Sequence, residues 1–108
     1  MKAKISILAA IAGATLSAGA SAALSDADAA KLTAKYHCVT CHSVDKKVVG
    51  PAFKDVAKKY AGDQAAHDRL VKKVKAGGSG NWGTVPMPPN NVPDADLNQV
   101  VAWVLGLK

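Results

Sequence analysis

Large aromatic side chains are scarce in this chain: the 108 residues include one Phe, two Tyr and two Trp, and much of the apolar remainder is Ala. A domain of this size lies near the limit where a hydrophobic core alone gives adequate stability, and small exported proteins usually add disulfides, a metal or another staple. Only two cysteines are present, and a bridge across their two intervening residues would close too small a loop to stabilise much. Something other than side chains is therefore expected to fill the centre. Strand signals are absent as well, as are internal repeats and a linker that would divide the chain, which leaves an all-α, single-domain reading.

Charge is missing from Ile5 to Ser25. Lys2 and Lys4 precede an apolar run from Ile5 to about Leu16, followed by small residues ending in Ala20-Ser21-Ala22, the three-part layout of a secretory signal. The uncharged stretch is long enough to span a bilayer, which takes about 20 residues. Its Ala, Gly, Ser and Thr insert weakly, however. Residues 1–22 are expected to be a cleaved bacterial export signal and 23–108 one domain, a periplasmic monomer without stable membrane insertion.

The formal net charge is +6. Basic residues cluster at Lys46-Lys47, Lys54, Lys58-Lys59 and Lys72-Lys73-Lys75. A solvated helix face is the ordinary explanation of such clusters. Nucleic acid is a poor partner, because export removes the chain from it and no aromatic stacking surface interleaves the lysines. A docking surface for acidic partners remains open.

Four helices are expected. The first spans about Asp26 to Tyr36, with Ser25 as N-cap and Asp26 and Asp28 in the first turn, where the helix dipole favours them. The second, about Ala52 to Tyr60, carries Phe53, Val56, Ala57 and Tyr60 as one stripe and stops at Gly62. A third starts near Asp63 as cap, turns Leu70, Val71 and Val74 inward and ends at Gly77-Gly78. The last runs from Pro93 or Asp94 to Leu107, with Leu97, Val100, Val101, Val104 and Leu105 as its buried face. Between the third and fourth lies Gly77 to Asn91, a long segment without periodicity, which in a compact domain is usually functional or disordered. A Trp and a Met inside it point to an ordered loop.

The first helix leads directly into "HCVTCH", residues 37–42. A redox dithiol of the thioredoxin kind needs a preceding strand, and none is present. A structural zinc needs four ligands, and adjacent Cys41 and His42 suit it poorly. Cys-x-x-Cys-His is the attachment signature of c-type haem. Two thiols add to the two vinyl groups along one porphyrin edge, and the next residue, His42, offers an imidazole nitrogen to the iron.

With "CVTCHSVDKKVVGPAFKDVAKKYAG", "GSGNWGTVPMPPN" and the terminal "AWVLGLK", nearly the whole mature chain resembles the small bacterial class I cytochromes c of the c551/c552 type. The resemblance implies a few helices wrapped around one covalently bound haem c, with first and last helices packed together. It further implies Cys38 and Cys41 as attachment points, His42 and Met87 as axial iron ligands, and Pro51 as the carbonyl that accepts the ligand histidine's N–H. Trp82 would donate to a haem propionate, with Lys73 or Arg69 as a possible charged partner. Asn90 would bond the methionine sulfur or serve as an ordinary turn residue, His37 would take neither role, Trp103 would pack on the first helix, and Tyr36 and Phe53 would wall the pocket. Pro93 departs from the polar cap that relatives often place before the last helix.

The function so implied is single-electron transport by Fe(II)/Fe(III) cycling, with no enzymatic step. Candidate partners are a nitrite reductase, a terminal oxidase, a cytochrome c peroxidase or a quinol-oxidising complex. The alternative is a haem enzyme or gas-binding sensor whose Met87 is displaced.

Overall fold

The computed structural model describes Gly13 and residues 24–108; the expected export signal lies, apart from Gly13, outside the described residues. Four α-helices carry the architecture: α1 Asp26–Lys35, α2 Phe53–Lys59, α3 Ala66–Ala76 and α4 Asp94–Leu105. Two isolated bridges, His42 with Lys47 and Gly78 with Met87, are the only β-type pairings among the described residues.

The α1 start follows its cap chemistry. Ser25 Oγ accepts the Asp28 N–H at 3.1 Å, a bond of the kind that contributes about 1 kcal/mol. The buried hydroxyl of Thr33 is satisfied inside the helix by the Ala29 carbonyl at 2.8 Å, so a polar group in the α1 face costs little. In α2, Phe53, Val56 and Ala57 are buried. Its first N–H groups, at Phe53 and Lys54, donate to the carbonyls of Ser43 (2.8 Å) and Val44 (3.1 Å), which fixes α2 against the segment that follows the cysteine motif.

The third helix begins at Ala66 with Ala65 as its N-cap, two residues later than a cap at Asp63 implies. Asp63 Oδ1 accepts the Ala65 N–H at 3.0 Å and its carbonyl accepts the Ala66 N–H at 3.2 Å. The aspartate therefore closes a turn ahead of the helix instead of capping it. The last helix starts at Asp94, after Pro93 at φ −55° and ψ 141° with no side-chain cap. Asp94 and Asp96 in the first turn supply the favourable charge instead.

α4 is the centre of the packing. Val100 and Val104 join Phe53 and Val56 in one cluster, while Leu97 and Val101 join Val92 in a second; Leu70 of α3 touches both. Both ends of α1 are tied to α4: Trp103 Nε1 donates to Asp26 Oδ1 at 2.9 Å, and Tyr36 OH donates to Asp96 Oδ2 at 2.5 Å. Trp103 thus packs on the first helix as expected, and its ring also meets Phe53 edge-on at 5.8 Å.

The Tyr36–Asp96 bond gives a signed pH dependence. The hydrogen bond to the carboxylate, reinforced by burial and by the negative charge, holds the phenol above its ordinary value of 10.0. A group whose folded value is raised stabilises the fold in its protonated form. That contribution is complete below pH 10.0 and disappears as pH rises through the folded value. Tyr36→Phe is expected to lower the melting temperature near neutral pH, and the gap from wild type is expected to close at alkaline pH. A gap that is constant with pH would refute the latch.

Candidate functional site

The chain leaves α1 through His37, the one non-glycine residue with positive φ among the described residues (φ 61°, ψ 21°). This left-handed step turns the backbone into a single 3₁₀ turn, Cys38–Thr40. In 3₁₀ geometry side chains three apart eclipse, which places Cys38 and Cys41 on one side of the turn. The His42 N–H donates to the Cys38 carbonyl at 3.0 Å, so the histidine is carried on the same short scaffold. The two cysteines are not bonded to each other. Burial pushes the Cys38 thiol up, with a backbone hydrogen bond pulling the other way.

His42 is held on three sides. Its Nδ1 lies 2.7 Å from the Pro51 carbonyl oxygen. A carbonyl only accepts, so Nδ1 carries the proton and Nε2 keeps its lone pair for another partner. The ring stacks on Phe53 at 5.2 Å and 20°. The third side is Gly50, where a Cβ would fall 2.4 Å from His42 Cε1 and 2.8 Å from Nδ1; only glycine leaves room for the imidazole. Gly50 is itself pinned, its N–H donating to the Cys41 carbonyl at 2.7 Å.

Met87 comes from the long segment after α3. Its N–H donates to the Gly78 carbonyl and its carbonyl accepts the Gly78 N–H, both at 2.9 Å. The Asn90 N–H donates to the Val74 carbonyl at 2.9 Å, closing the segment onto α3. Gly77 adopts φ +70° and has no space for a Cβ, which would lie 2.5 Å from the Met87 carbonyl. Pro86, Pro88 and Pro89 restrict the backbone on either side. The Asn90 amide donates to the Pro88 carbonyl at 2.8 Å, which uses one of its two N–H donors; it is thus a turn-bonding residue with one donor remaining.

These segments enclose a cavity of about 620 Å³ whose lining includes Cys38, Cys41, His42, Pro51, Trp82, Met87 and Asn90. All seven residues expected at the site therefore meet at one place. Apolar walls come from Phe53 and Val56 of α2, Leu70 and Val74 of α3, and Val100 and Val104 of α4. The volume falls within the range of small-molecule sites, about 300–1,000 Å³. Tyr36 and Phe53 line it as expected. Of the two candidate cations, Lys73 lines the cavity, whereas Arg69 pairs with Asp63 and lies over the Tyr60 ring at 5.9 Å.

Trp82 is 42% exposed and sits beneath the Lys59 ammonium, 4.4 Å from the ring centre. Neither this contact nor the close approach at Gly50 was expected from sequence. No role of its own attaches to Gly50 in the sequence, and no local signal couples Lys59 to a residue so far along the chain.

The donor set discriminates among the readings of the motif. No group of three or more His, Cys or Asp side chains is placed to hold a metal among the described residues, so the zinc reading lacks geometry. Two thiols on one turn, an imidazole with a committed Nδ1 and an open Nε2, a half-buried thioether and an apolar chamber fit a flat metal macrocycle with two alkene substituents. A haem c bonded through both sulfurs meets that description.

The comparisons agree. The family model for cytochrome c matches residues 27–108. Cytochrome c-551 of Allochromatium vinosum is 64% identical over 77 residues, spanning 70% of this chain and 82% of the relative. Cytochrome c-552 of Hydrogenobacter thermophilus is 56% identical over 71 residues, spanning 66% and 72%. The crystal structure of Nitrosomonas europaea cytochrome c552 superposes with a TM-score of 0.70 at 52% identity, covering 73% of this chain and 99% of that one. The helices around the cavity are thus a cytochrome c fold, and the chain belongs to the cytochrome c family of the c551/c552 type, electron-transfer proteins with one covalently attached haem c and no enzymatic activity.

Proposed function

We propose that this chain is a periplasmic carrier of single electrons, exported by residues 1–22, in which Cys38 and Cys41 hold the haem and His42 and Met87 are its two axial iron ligands. The observation that carries the reading is that His42 and Met87, distant in sequence, line one cavity, each fixed by backbone bonds beside it. The haem, when bound, supplies a one-electron Fe(II)/Fe(III) couple.

The surrounding residues tune that couple. The Pro51 carbonyl accepts the His42 Nδ1 proton, which orients the ring and makes Nε2 a stronger donor. Met87 offers a thioether, and the walls from α2, α3 and α4 are apolar. Thioether ligation and an apolar setting both favour the less charged, reduced state and raise the potential. The Trp82 indole N–H and the Lys73 ammonium are suited to the haem propionates, and the second N–H of Asn90 to the Met87 sulfur. His42 and Met87 would both be committed to holding the iron, leaving no protein-side opening for a substrate, which supports outer-sphere transfer over oxygen or peroxide chemistry.

No described helix is long and apolar enough to cross a membrane. Lys46, Lys47, Lys72 and Lys73 give the surface a basic character suited to acidic patches on a nitrite reductase, a terminal oxidase, a cytochrome c peroxidase or a quinol-oxidising complex. Such interfaces are small, brief and steered by charge. The test is bimolecular electron exchange between the purified holoprotein and such an acidic partner. The rate is expected to fall steeply as salt shortens the Debye length, from about 30 Å at 0.01 M to about 8 Å at physiological ionic strength. Salt-independent exchange would remove the steering, and fast, tight cyanide or carbon monoxide binding by native protein would favour a haem enzyme or gas sensor instead.

A further inference from the structure

Residues 79–86 form a loop whose base is the two-bond bridge between Gly78 and Met87 and whose turn is closed by the Gly80 N–H donating to the Gly83 carbonyl at 2.9 Å. The loop is thinly packed: Trp82 is 42% and Val85 63% exposed. Among the described residues, one hydrogen bond ties the span between those ends to another element. Lys59, the last residue of α2, donates from Nζ to the Asn81 carbonyl at 2.7 Å. The same ammonium lies 4.4 Å from the Trp82 ring centre and 5.8 Å from the Tyr60 ring centre, inside the distance at which a cation is attracted to an aromatic face.

We propose that Lys59 is a positioning residue: it clamps the tip of this loop to α2 and thereby sets how often the base of the loop, with Met87, swings away from the iron. The proposal rests on Met87 being an iron ligand. Lys59 does not line the cavity, so its influence on the iron passes through the loop. Its neighbour Lys58 shares the last turn of α2, and the Lys58 side chain makes no hydrogen bond or ring contact among the described residues. Removing Lys58 therefore subtracts the same charge at the same helix end without releasing the loop, which isolates the clamp from a general electrostatic effect.

The experiment uses the ferric holoprotein in four forms: wild type, Lys59→Met, Lys59→Arg and Lys58→Met. Two quantities are read, the cyanide-binding rate at saturating cyanide, where departure of the methionine limits it, and amide hydrogen exchange at Gly80 and Met87. Lys59→Met is expected to raise both by about three- to tenfold, the factor that corresponds to losing one typical net hydrogen bond at a surface site. Lys59→Arg keeps donor and cation and is expected to restore wild-type behaviour, and Lys58→Met is expected to match wild type. Equal cyanide rates in Lys59→Met and Lys58→Met overturn the proposal. If wild type itself binds cyanide fast, the ligand assignment of Met87 fails separately. Amide exchange then still tests the clamp, and equal exchange in Lys59→Met and Lys58→Met overturns it.

Discussion

Met87→Ala is expected to abolish the methionine-to-iron absorption band, lower the reduction potential by on the order of 0.1 V, and turn a protein that resists cyanide into one that binds it readily. The potential shift is a modest share of the roughly 0.8 V over which axial ligands tune haem. The adjoining prolines, Pro86 and Pro88, carry no side-chain atom with a lone pair to offer the iron, so no immediate neighbour can take the place of the thioether. If Met87 leaves the iron about 1% of the time, apparent cyanide affinity is reduced by that fraction, and deleting the side chain raises it roughly 100-fold. Spectroscopy, potentiometry and cyanide titration of the variant check all three. A retained band or an unchanged potential would assign the sixth position to another residue.

The two halves of the site differ in how far they could be read from sequence. The cysteine spacing states a chemical requirement, and it led directly to Cys38, Cys41 and His42, with Met87 reached through resemblance. Helix faces were legible for a similar reason: Phe53, Val56 and Ala57 recur at helical spacing and are buried, and Ser25 caps α1 through its own oxygen. The misses depend on contacts between distant segments or on competition between local bonds. Asp63 has the composition of a helix cap, yet its carboxylate is committed to the Ala65 N–H, so α3 begins later. Asn90 is not among these misses, because its bond back to Pro88 is the turn role that the sequence left open and still leaves one N–H donor. Lys59 lies in a lysine pair that looks like ordinary solvated charge. Only the fold brings it to Asn81, 22 positions on. Gly50 is the sharpest case, because its need for a bare Cα comes from a side chain eight residues earlier whose final position depends on Pro51 and Phe53.

Gly50→Ala is expected to destabilise the holoprotein by roughly 2–3 kcal/mol, within the range for overpacking combined with a strained hydrogen bond, and to lower its melting temperature by about 10–20 °C for a domain of this size. Backbone strain does not enter, because Gly50 is not among the glycines with positive φ, and alanine would otherwise restrict the unfolded chain slightly in favour of folding. The cost is steric. The new methyl would lie 2.4 Å from His42 Cε1, whereas ordinary contact begins near 3.4 Å, so ring or backbone must shift by about 1 Å. Neither is free to do so. The ring is stacked on Phe53, residue 50 is bonded to Cys41, and Pro51, next in the chain, carries the acceptor for Nδ1. Iron held at Nε2 would add a further constraint, so the penalty is expected to be larger with haem than in the haem-free chain, where the imidazole is held by one contact fewer. Gly106→Ala is the control, since a Cβ there meets nothing closer than 3.4 Å. Thermal melts of both variants, followed at a haem band, separate the outcomes. Equal melting temperatures would mean that the ring has room, and that Pro51 and Phe53 alone hold it.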